Sequence, residues 1–214
     1  MFITLEGIEG AGKTTILPEL VDALERGGAM CTVTREPGGT AFGREVRAIL
    51  LNPAHGGIDP HAELLLYVAD RVQHVREIIR PALARGEVVL CDRYMDATIV
   101  YQGVARQLGP ELVATLHELV LGELKPDFTL LFDLPAKVGL ERAWRDFDRG
   151  ERSRRESRFE QEHLVFHEAV REGYLALARA EPKRFHIIDA AADPQTVARE
   201  ARAAIGAALA AALA

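Results

Sequence analysis

Short apolar runs alternate with longer segments of helical periodicity along the whole chain. Five runs have the length and apolar character of buried strands, and they lie at residues 2–6, 31–34, 88–91, 129–132 and 186–188. The segments between them repeat apolar residues at helical spacing. This alternation predicts an α/β fold with a five-stranded parallel sheet that is covered by helices on both faces.

Two of the helical segments carry further information. Residues 61–85 have the apolar pattern of one long helix, and we expect Pro81 to kink it because proline removes a backbone hydrogen bond. Residues 194–214 are rich in alanine, the strongest helix former, and predict a terminal helix. No repeat or linker interrupts the pattern, so we expect a single domain over residues 1–214.

The first predicted strand leads directly into a phosphate-binding loop. The sequence Gly7-Ile8-Glu9-Gly10-Ala11-Gly12-Lys13-Thr14 fills the pattern G-x-x-x-x-G-K-[ST], and a helical pattern follows it. Glycines allow backbone N–H groups to surround an anion. The positively charged Lys13 side chain can contact the β- and γ-phosphates, and the Thr14 hydroxyl can ligate Mg²⁺. The loop predicts a bound nucleoside triphosphate and makes the fold a P-loop NTPase fold.

Composition narrows the choice of partners. The 214 residues carry a net charge of −6, so there is no overall basic field for binding nucleic acid. The chain begins almost at once with the first strand and has no apolar run of about 20 residues, so we expect a soluble, cytoplasmic protein without a membrane partner. Cys31 and Cys91 lie in predicted strands without metal-site spacing and are expected to be packed free thiols.

Charged residues follow the other predicted strands, whose carboxyl ends should meet at one edge of the sheet. Arg35 opens a Glu-Pro-Gly-Gly-Thr turn after the second strand, and Asp92-Arg93-Tyr94 follows the third. Asp92 is placed to hold Mg²⁺ through a water, and the Arg93 guanidinium can bind a phosphate bidentately.

Two helices offer further candidates. Arg47 and Arg71 lie on predicted helices, where an arginine is ordinarily solvated. Tyr67 precedes Arg71 by one helical turn, so an aromatic ring and a cation share one face. These two side chains could contact one ligand together.

The densest charge cluster lies at approximately residues 142–158. Its arginines alternate with acidic residues, and they are Arg142, Arg145, Arg149, Arg152, Arg154, Arg155 and Arg158. A basic loop after the fourth strand is typical of a lid over a triphosphate, and we expect a helix to follow it from Glu160. His163 and His167 are spaced as in a zinc protease but lack its glutamate, so we interpret both as ordinary helix-face residues.

The abundance of arginine around one P-loop indicates the class of acceptor. Transfer to a hydroxyl usually needs a base, whereas a phosphomonoester is already ionised at pH 7. The difficulty of transfer to a phosphate is the repulsion between two anions, which arginines can offset. The pattern therefore favours a nucleotide as the acceptor.

With these motifs in order, the sequence resembles the thymidylate kinases over nearly its whole length. The likeness rests on the P-loop, the R-E-P-G-G-T turn at 35–40, Ala69-Asp70-Arg71, Asp92-Arg93-Tyr94, Tyr101-Gln102-Gly103, Asp133-Leu134-Pro135 and the arginine-rich segment. It implies transfer of the ATP γ-phosphoryl group to dTMP, with Mg²⁺, by a homodimer. Gly10 in place of an arginine resembles the bacterial type, in which the lid supplies a catalytic arginine.

The resemblance also implies roles for individual residues. Those expected at the ATP site are Gly7, Ile8, Glu9, Gly10, Ala11, Gly12, Lys13, Thr14, Thr15, Asp189 and Ala190. Those expected at the dTMP site are Glu9, Arg35, Arg47, Tyr67, Arg71, Arg93, Thr98, Tyr101 and Gln102. Those expected to be catalytic are Lys13, Arg93, Arg158 and Glu9, and those expected at the metal are Thr14 and Asp92.

The chain departs from many relatives at two places. Ala97, with Thr98 next to it, stands where many relatives have a serine after D-R-Y-x-D, so one hydroxyl contact to the acceptor would be lost or shifted. Ser157-Arg158-Phe159-Glu160 replaces D-R-x-E, which leaves open the lid arginine that reaches the phosphoryl group.

Other functions remain as alternatives at this point. A deoxynucleoside kinase or a kinase of another nucleoside monophosphate would use the same loop. A GTP-dependent switch is disfavoured because its N-K-x-D motif cannot exist where Asn52 is the only asparagine and precedes Pro53. A nucleic-acid-binding ATPase is disfavoured by the acidic balance of the chain.

Overall fold

A five-stranded parallel sheet forms the centre of the molecule, as the sequence predicts. The computed structural model describes residues 1–151 and 153–213. The strands are β1 (Phe2–Glu6), β2 (Cys31–Arg35), β3 (Val88–Asp92), β4 (Phe128–Asp133) and β5 (Phe185–Asp189), in the spatial order β2-β3-β1-β4-β5. Each pair of neighbouring strands is parallel.

Four of the strands include one more residue at the carboxyl end than the apolar pattern predicts. Arg35 pairs with Asp92, and Asp133 pairs with Asp189, across adjacent strands. Backbone pairing in a parallel sheet does not depend on side-chain polarity, so the ladder extends past the last apolar residue. The first charged residue of each of these strand ends is therefore held rigidly in the sheet.

Helices connect the strands and cover the sheet. They are α1 (Lys13–Arg26), α2 (Ala41–Leu51), α3 (Pro60–His74), α4 (Arg80–Ala84), α5 (Met95–Thr98), α6 (Pro110–Leu121), α7 (Ala136–Asp148), α8 (Leu164–Ala180) and α9 (Pro194–Leu213). The terminal helix predicted from residue 194 is confirmed as α9, with Ala214 outside the described residues. None of the helices in the described residues is long and apolar enough to cross a membrane.

The long helix predicted over residues 61–85 is present, with its irregularity one turn earlier than expected. A π-helical turn at Val75–Ile79 separates α3 from α4, and Pro81 lies in the first turn of α4. A proline ring displaces the carbonyl four residues before it, here that of Glu77, and a wider turn accommodates this displacement. A second π-helical segment, Ile99–Ala105, continues directly from α5.

Two clusters of buried apolar side chains pack against the sheet. One contains Ile3 and Leu5 of β1 with residues of α1, α8 and α9, and the other contains Phe2 of β1 with residues of α3 and α6. Alternate residues of one strand thus face opposite helical layers, as expected for a sheet covered on both sides. Cys91 is buried, Cys31 is partly buried, and both are free thiols, as predicted.

Candidate active site

A cavity of about 500 Å³ lies at the carboxyl ends of the strands. Leu5 of β1 pairs with Asp92 of β3, so the P-loop and the segment after β3 start side by side. The cavity is bounded by the P-loop, the turn after β2, helix α3, the segment after β3 and part of the predicted lid. Ligands of open parallel sheets bind at this edge, so the topology places the predicted site where the fold offers a crevice.

The P-loop takes the conformation that its glycines permit. Gly7 and Gly10 have φ values of 137° and 71°. A Cβ atom at Gly10 would approach the carbonyl oxygen of Gly139 to 2.1 Å, and one at Gly7 would approach that of Phe132 to 2.5 Å. Helix α1 begins at Lys13, so its amino-terminal N–H groups and positive dipole end face the loop. This arrangement suits an anion.

Lys13 reaches back over the loop. Its Nζ donates hydrogen bonds of 2.9 Å to the carbonyl oxygens of Gly7 and Ile8, and the residue is buried. Burial, and next the Arg93 guanidinium, lower the pKa of Lys13 to about 8, while Asp92 and Glu9 act in the opposite direction. A bound phosphate would therefore favour the charged form of this ammonium group.

Oxygen donors meet at the start of α1. Thr14 Oγ1 lies 3.4 Å from Asp92 Oδ2, and Asp92 Oδ1 is buried with no hydrogen-bond partner among the described residues. A hydroxyl and a carboxylate are ligands that Mg²⁺ prefers, and Mg²⁺ usually keeps water and phosphate oxygens besides them. The unpartnered Asp92 oxygen beside the P-loop fits a hydrated Mg²⁺.

Arg93 contacts the P-loop from the segment that follows β3. Its backbone has φ 68°, which is uncommon for a residue with a side chain. Its Nη2 lies 2.9 Å from Glu9 Oε1, its Nη1 lies 3.2 Å from the Tyr174 hydroxyl, and its guanidinium lies 5.0 Å from the centre of the Tyr101 ring. The guanidinium is thus fixed on several sides next to the P-loop.

Glu9 is kept ionised by these neighbours. Its Oε1 also accepts a hydrogen bond of 2.5 Å from the Tyr101 hydroxyl. Burial opposes ionisation, but Arg93, His167 and the Tyr101 hydroxyl outweigh it and hold the pKa of Glu9 well below its ordinary value. Glu9 is consequently a weak base at neutral pH.

Arg71 forms part of the cavity wall in a fixed orientation. Its Nε donates to Glu36 Oε2 at 2.7 Å, and its Nη2 donates to Thr98 Oγ1 at 2.7 Å and to the Tyr94 carbonyl oxygen at 3.2 Å. The second oxygen of Glu36 lies 2.8 Å from His74 Nδ1. The Thr98 hydroxyl, which the sequence assigns to the acceptor, is therefore engaged with Arg71.

Arg47 is held by the predicted lid. Its Nε and Nη2 contact the two carboxylate oxygens of Glu156 at 3.1 and 2.7 Å, and its Nη1 donates to the Pro37 carbonyl oxygen at 3.2 Å. Arg35 also lines the cavity and is exposed, with no side-chain partner among the described residues. Tyr67 lines the same region and is partly buried, and burial raises its pKa, so the phenol is neutral.

Gln102 lines the cavity above a buried carboxylate. Its Nε2 donates to Glu63 Oε1 at 2.7 Å, and Arg106 Nε lies 3.4 Å from the same oxygen. Arg158 Nη2 lies 2.7 Å from Glu63 Oε2. Only 1% of Glu63 is exposed, so these cations and the amide supply its counter-charge and hydrogen bonds.

Arg158 does not line the cavity, although the family resemblance implies a catalytic role for it. It is buried, its Nε bonds the Leu50 carbonyl oxygen, and its guanidinium lies 4.5 Å from the centre of the Phe159 ring. Phe159 and Glu160, the next residues, do line the cavity. In this conformation the contacts of Arg158 hold the end of the predicted lid against Glu63 and α2.

The predicted lid consists of the end of α7, a turn and a short 3₁₀ turn at Arg154–Glu156. Arg152 lies outside the described residues. The remaining arginines between positions 145 and 155 are exposed, and the side chains of this part that line the cavity are those of Asp146, Glu151, Ser153 and Glu156. The helix after the lid begins at Leu164 rather than at Glu160.

Asp189 and Ala190, which are expected near adenine, are not among the residues that line the cavity. The Ala190 carbonyl oxygen accepts a hydrogen bond of 2.9 Å from Arg142 Nη1, and Asp189 Oδ1 accepts one from the Ala191 N–H. Thr15 and the P-loop residues Glu9 to Thr14 line the cavity, whereas Gly7 and Ile8 contribute their carbonyl oxygens to Lys13.

The interpretation of His167 as an ordinary helix-face residue is wrong. Its side chain is completely buried, with Nε2 3.0 Å from the Phe159 carbonyl oxygen and Nδ1 3.3 Å from Glu9 Oε2. His163, one turn earlier, is exposed. The helical periodicity of the sequence could have indicated this burial, because His167 shares a face with the buried residues Val170 and Tyr174.

Comparison with known proteins identifies relatives over nearly the full chain. The sequence model of the family described as "Thymidylate kinase" matches residues 5–201. The chain is 57% identical to the thymidylate kinase of Desulfosudis oleivorans over 205 residues, which cover 96% of each chain. It is 53% identical to that of Desulforapulum autotrophicum over 200 residues, covering 94% of this chain and 88% of the relative. It is 52% identical to that of Desulfovibrio desulfuricans over 211 residues, covering 96% and 94%.

Proposed function

The chain belongs to the thymidylate kinase family and phosphorylates dTMP to dTDP with ATP as the donor, and we propose the following roles for its residues. The observation that carries the proposal is the position of Arg93 between the P-loop and the arginine-lined half of the cavity. A guanidinium fixed there can contact the donor and the acceptor phosphates together. Residues 1–214 would form a single nucleoside monophosphate kinase domain.

The part of the cavity that is formed by the P-loop and the start of α1, here called the donor half, binds ATP. The N–H groups of the P-loop and of the start of α1 cradle the β- and γ-phosphates, and Lys13 exchanges its loop carbonyl partners for phosphate oxygens. Thr14 would hold Mg²⁺, with Asp92 acting through water, and the ion when bound would supply charge neutralisation at the triphosphate. Asp189 and Ala190 lie beside adenine, next to Arg142.

The part of the cavity that is formed by the turn after β2, helix α3 and the segment after β3, here called the acceptor half, binds dTMP. Arg35 and Arg47 lie at the edge where the acceptor phosphate would enter, and Tyr67 supplies an aromatic face for the base. Arg71, fixed by Glu36 and Thr98, and Gln102, fixed by Glu63, present polar groups of defined orientation to the base. Glu9 and Tyr101 close the site beside the deoxyribose.

Transfer then needs positioning and charge rather than a base. A phosphate oxygen of dTMP forms the new bond to the γ-phosphorus of ATP as the bond to the β–γ bridging oxygen breaks, and ADP leaves. Two like charges about 4 Å apart repel by roughly 4 kcal/mol at an effective dielectric constant of about 20, so Arg93 and Lys13 are needed between them. An arginine of the exposed lid segment would complete this charge when the lid closes, while Arg158 anchors the lid at Glu63.

The state of Glu9 argues against a hydroxyl acceptor. Phosphorylation of a nucleoside would need a group that takes the proton of the 5′-hydroxyl. Glu9, the carboxylate within the P-loop, has a strongly lowered pKa, so it accepts a proton poorly. The nucleoside kinase alternative is therefore not favoured.

The test is ADP release with ATP and Mg²⁺, comparing dTMP, thymidine, UMP and AMP as acceptors. Selective turnover of dTMP is expected. Preferential turnover of thymidine, or a rate no higher than that without acceptor, would contradict the proposal.

We also propose a homodimer. Exposed apolar side chains lie on α3, at Leu65, and on α6, at Leu119, of which 57% and 78% are exposed. Such residues on neighbouring helices favour a covered surface. Light scattering after size-exclusion chromatography should give twice the mass of 23.5 kDa, and the single-chain mass would contradict the dimer.

A further inference from the structure

One buried histidine connects the P-loop to the base of the lid. His167 lies on α8, with one ring nitrogen 3.3 Å from Glu9 Oε2 and the other 3.0 Å from the Phe159 carbonyl oxygen. Glu9 Oε2 and His167 Nδ1 are both buried, and neither has a hydrogen-bond partner in the described part of the chain, so their 3.3 Å contact is an ion-pair approach rather than a well-formed hydrogen bond. The roles proposed above assign no task to this side chain.

The two groups that face the ring are both acceptors. A backbone carbonyl oxygen can only accept, and an ionised carboxylate can only accept. A neutral imidazole has one N–H and one lone pair, so one of its nitrogens would turn a lone pair towards an oxygen. The imidazolium form places an N–H on each nitrogen, so that one N–H faces each neighbour.

The surrounding charges are consistent with that form. Burial disfavours the imidazolium, but the carboxylates of Glu9 and of Glu160, together with the Phe159 carbonyl, outweigh it and raise the pKa of His167. Arg93 bonds the other oxygen of Glu9. The Tyr101 hydroxyl contacts that same oxygen, and Tyr174 on α8 bonds Arg93 and Glu6.

The donors around Glu9 come from separate elements. Arg93 follows β3, Tyr101 lies in the π-helical segment, and His167 lies on α8; the first two bind Oε1, and the third faces Oε2. Without His167, the buried Oε2 would lose the ring that faces it at 3.3 Å, and the carboxylate could rotate. Arg93 would then lose the fixed orientation of its partner.

We propose that His167, as an imidazolium, is a positioning residue that fixes the Glu9 carboxylate, and through it Arg93, for phosphoryl transfer. The proposal rests on the roles proposed above for Glu9 and Arg93. Since α8 follows the lid, the same side chain also fixes Phe159 relative to the P-loop.

The direct test needs no turnover. The full chain, labelled with ¹⁵N in histidine and free of nucleotide, is titrated by NMR, and the His167 signals are assigned by their loss in His167→Phe or, if that variant does not fold, in His167→Gln. We expect His167 to titrate above the ordinary value of about 6.5, and to do so at least about one pH unit lower in Glu9→Gln. A ring that is neutral at pH 7 in the unaltered protein, or a midpoint that Glu9→Gln does not change, would overturn the proposal.

Kinetics provide the second test. His167→Phe should lower kcat/KM for dTMP by about 10- to 100-fold with little change in KM for ATP, whereas His163→Phe, a change at the exposed neighbour, should have no effect. In a Glu9→Gln background, His167→Phe should lower kcat/KM for dTMP little further. An equal loss in both backgrounds would show that His167 does not act through Glu9. Failure of the unaltered protein to phosphorylate dTMP would refute the proposed function instead, and the NMR result would still stand.

Discussion

Arg93 Nη2 lies 2.9 Å from Glu9 Oε1, so the residue after the third strand is joined to the acidic residue of the P-loop. The contact pairs a cation with a carboxylate that it keeps ionised. Because Tyr174 and Tyr101 hold the same guanidinium, its position is set before any ligand enters. This preorganisation is what electrostatic stabilisation of phosphoryl transfer requires.

Replacement of Arg93 by alanine should lower kcat by about 10²- to 10³-fold, because it removes a fixed donor from the place where the two anions meet. Arg93→Lys should recover only part of the rate, since an ammonium group cannot contact two oxygens bidentately. The measurement is steady-state ADP release with dTMP, and Arg85→Ala, at an exposed arginine, is the control. A loss confined to KM would contradict a role in the transfer step.

Arg47 should act on the binding of the acceptor. Arg47→Ala is expected to raise KM for dTMP by about tenfold and to leave KM for ATP unchanged, because Arg47 contacts Pro37 and Glu156 and offers its guanidinium to the acceptor phosphate. The exposed Arg44, on the same helix, provides the control variant Arg44→Ala. Glu156→Gln should have the opposite effect and lower KM for dTMP, because the Glu156 carboxylate competes for the Arg47 guanidinium. A rise of KM in both variants would contradict this competition.

The metal requirement should depend on Thr14. Chelation with EDTA is expected to abolish turnover, and added Mg²⁺ should restore it. Thr14→Ala should raise the Mg²⁺ concentration that gives half the maximal rate by several-fold, because the hydroxyl beside Asp92 is lost. Titration of Mg²⁺ at a fixed ATP concentration measures this change, with the exposed Thr115→Ala as the control. An unchanged Mg²⁺ dependence would show that Thr14 does not ligate the metal.

Glu6 should make stability depend on pH. Burial, and next Asp96, raise the pKa of Glu6 from 4.5 to about 8 in the folded protein. The folded state therefore retains a proton that the unfolded state releases between these values. The free energy of unfolding attributable to Glu6 should fall as pH rises from 4.5 to 8, by at most about 1.4 kcal/mol per pH unit.

Urea unfolding of the nucleotide-free protein at pH 5, 6, 7 and 8 tests this prediction. The difference between the unaltered protein and Glu6→Gln should decrease over this range, while Glu111→Gln, at an exposed glutamate, should leave the pH dependence as it was. A constant difference between the unaltered protein and Glu6→Gln would show that Glu6 does not titrate on unfolding.

Much of the architecture could be read from local patterns. The five strands, the helix after the P-loop and the terminal helix follow from apolar spacing, because burial of a strand or helix face requires that spacing wherever it lies in the fold. The P-loop could be identified completely, since its chemistry depends on glycines, a lysine and a threonine that are adjacent in the chain. The position of charged residues at strand ends then indicated the edge of the sheet where the cavity lies.

Partners across long sequence separations could not be predicted in the same way. Glu63 pairs with Arg158, 95 positions away by their numbers, and Arg47 pairs with Glu156, 109 positions away. The arginine-rich segment looked uniform in the sequence, but packing buried Arg158 and turned acidic side chains towards the cavity.

Local patterns in the chain were sufficient to predict the α/β alternation, the phosphate-binding loop and the set of charged residues available to the site. The packing of segments that are distant in the chain decided which of those charges meet, so that Arg158 pairs with Glu63 and His167 faces Glu9. The physical reason is that backbone periodicity is set by neighbours three or four residues apart, whereas a buried charge takes its partner from whichever element packs against it.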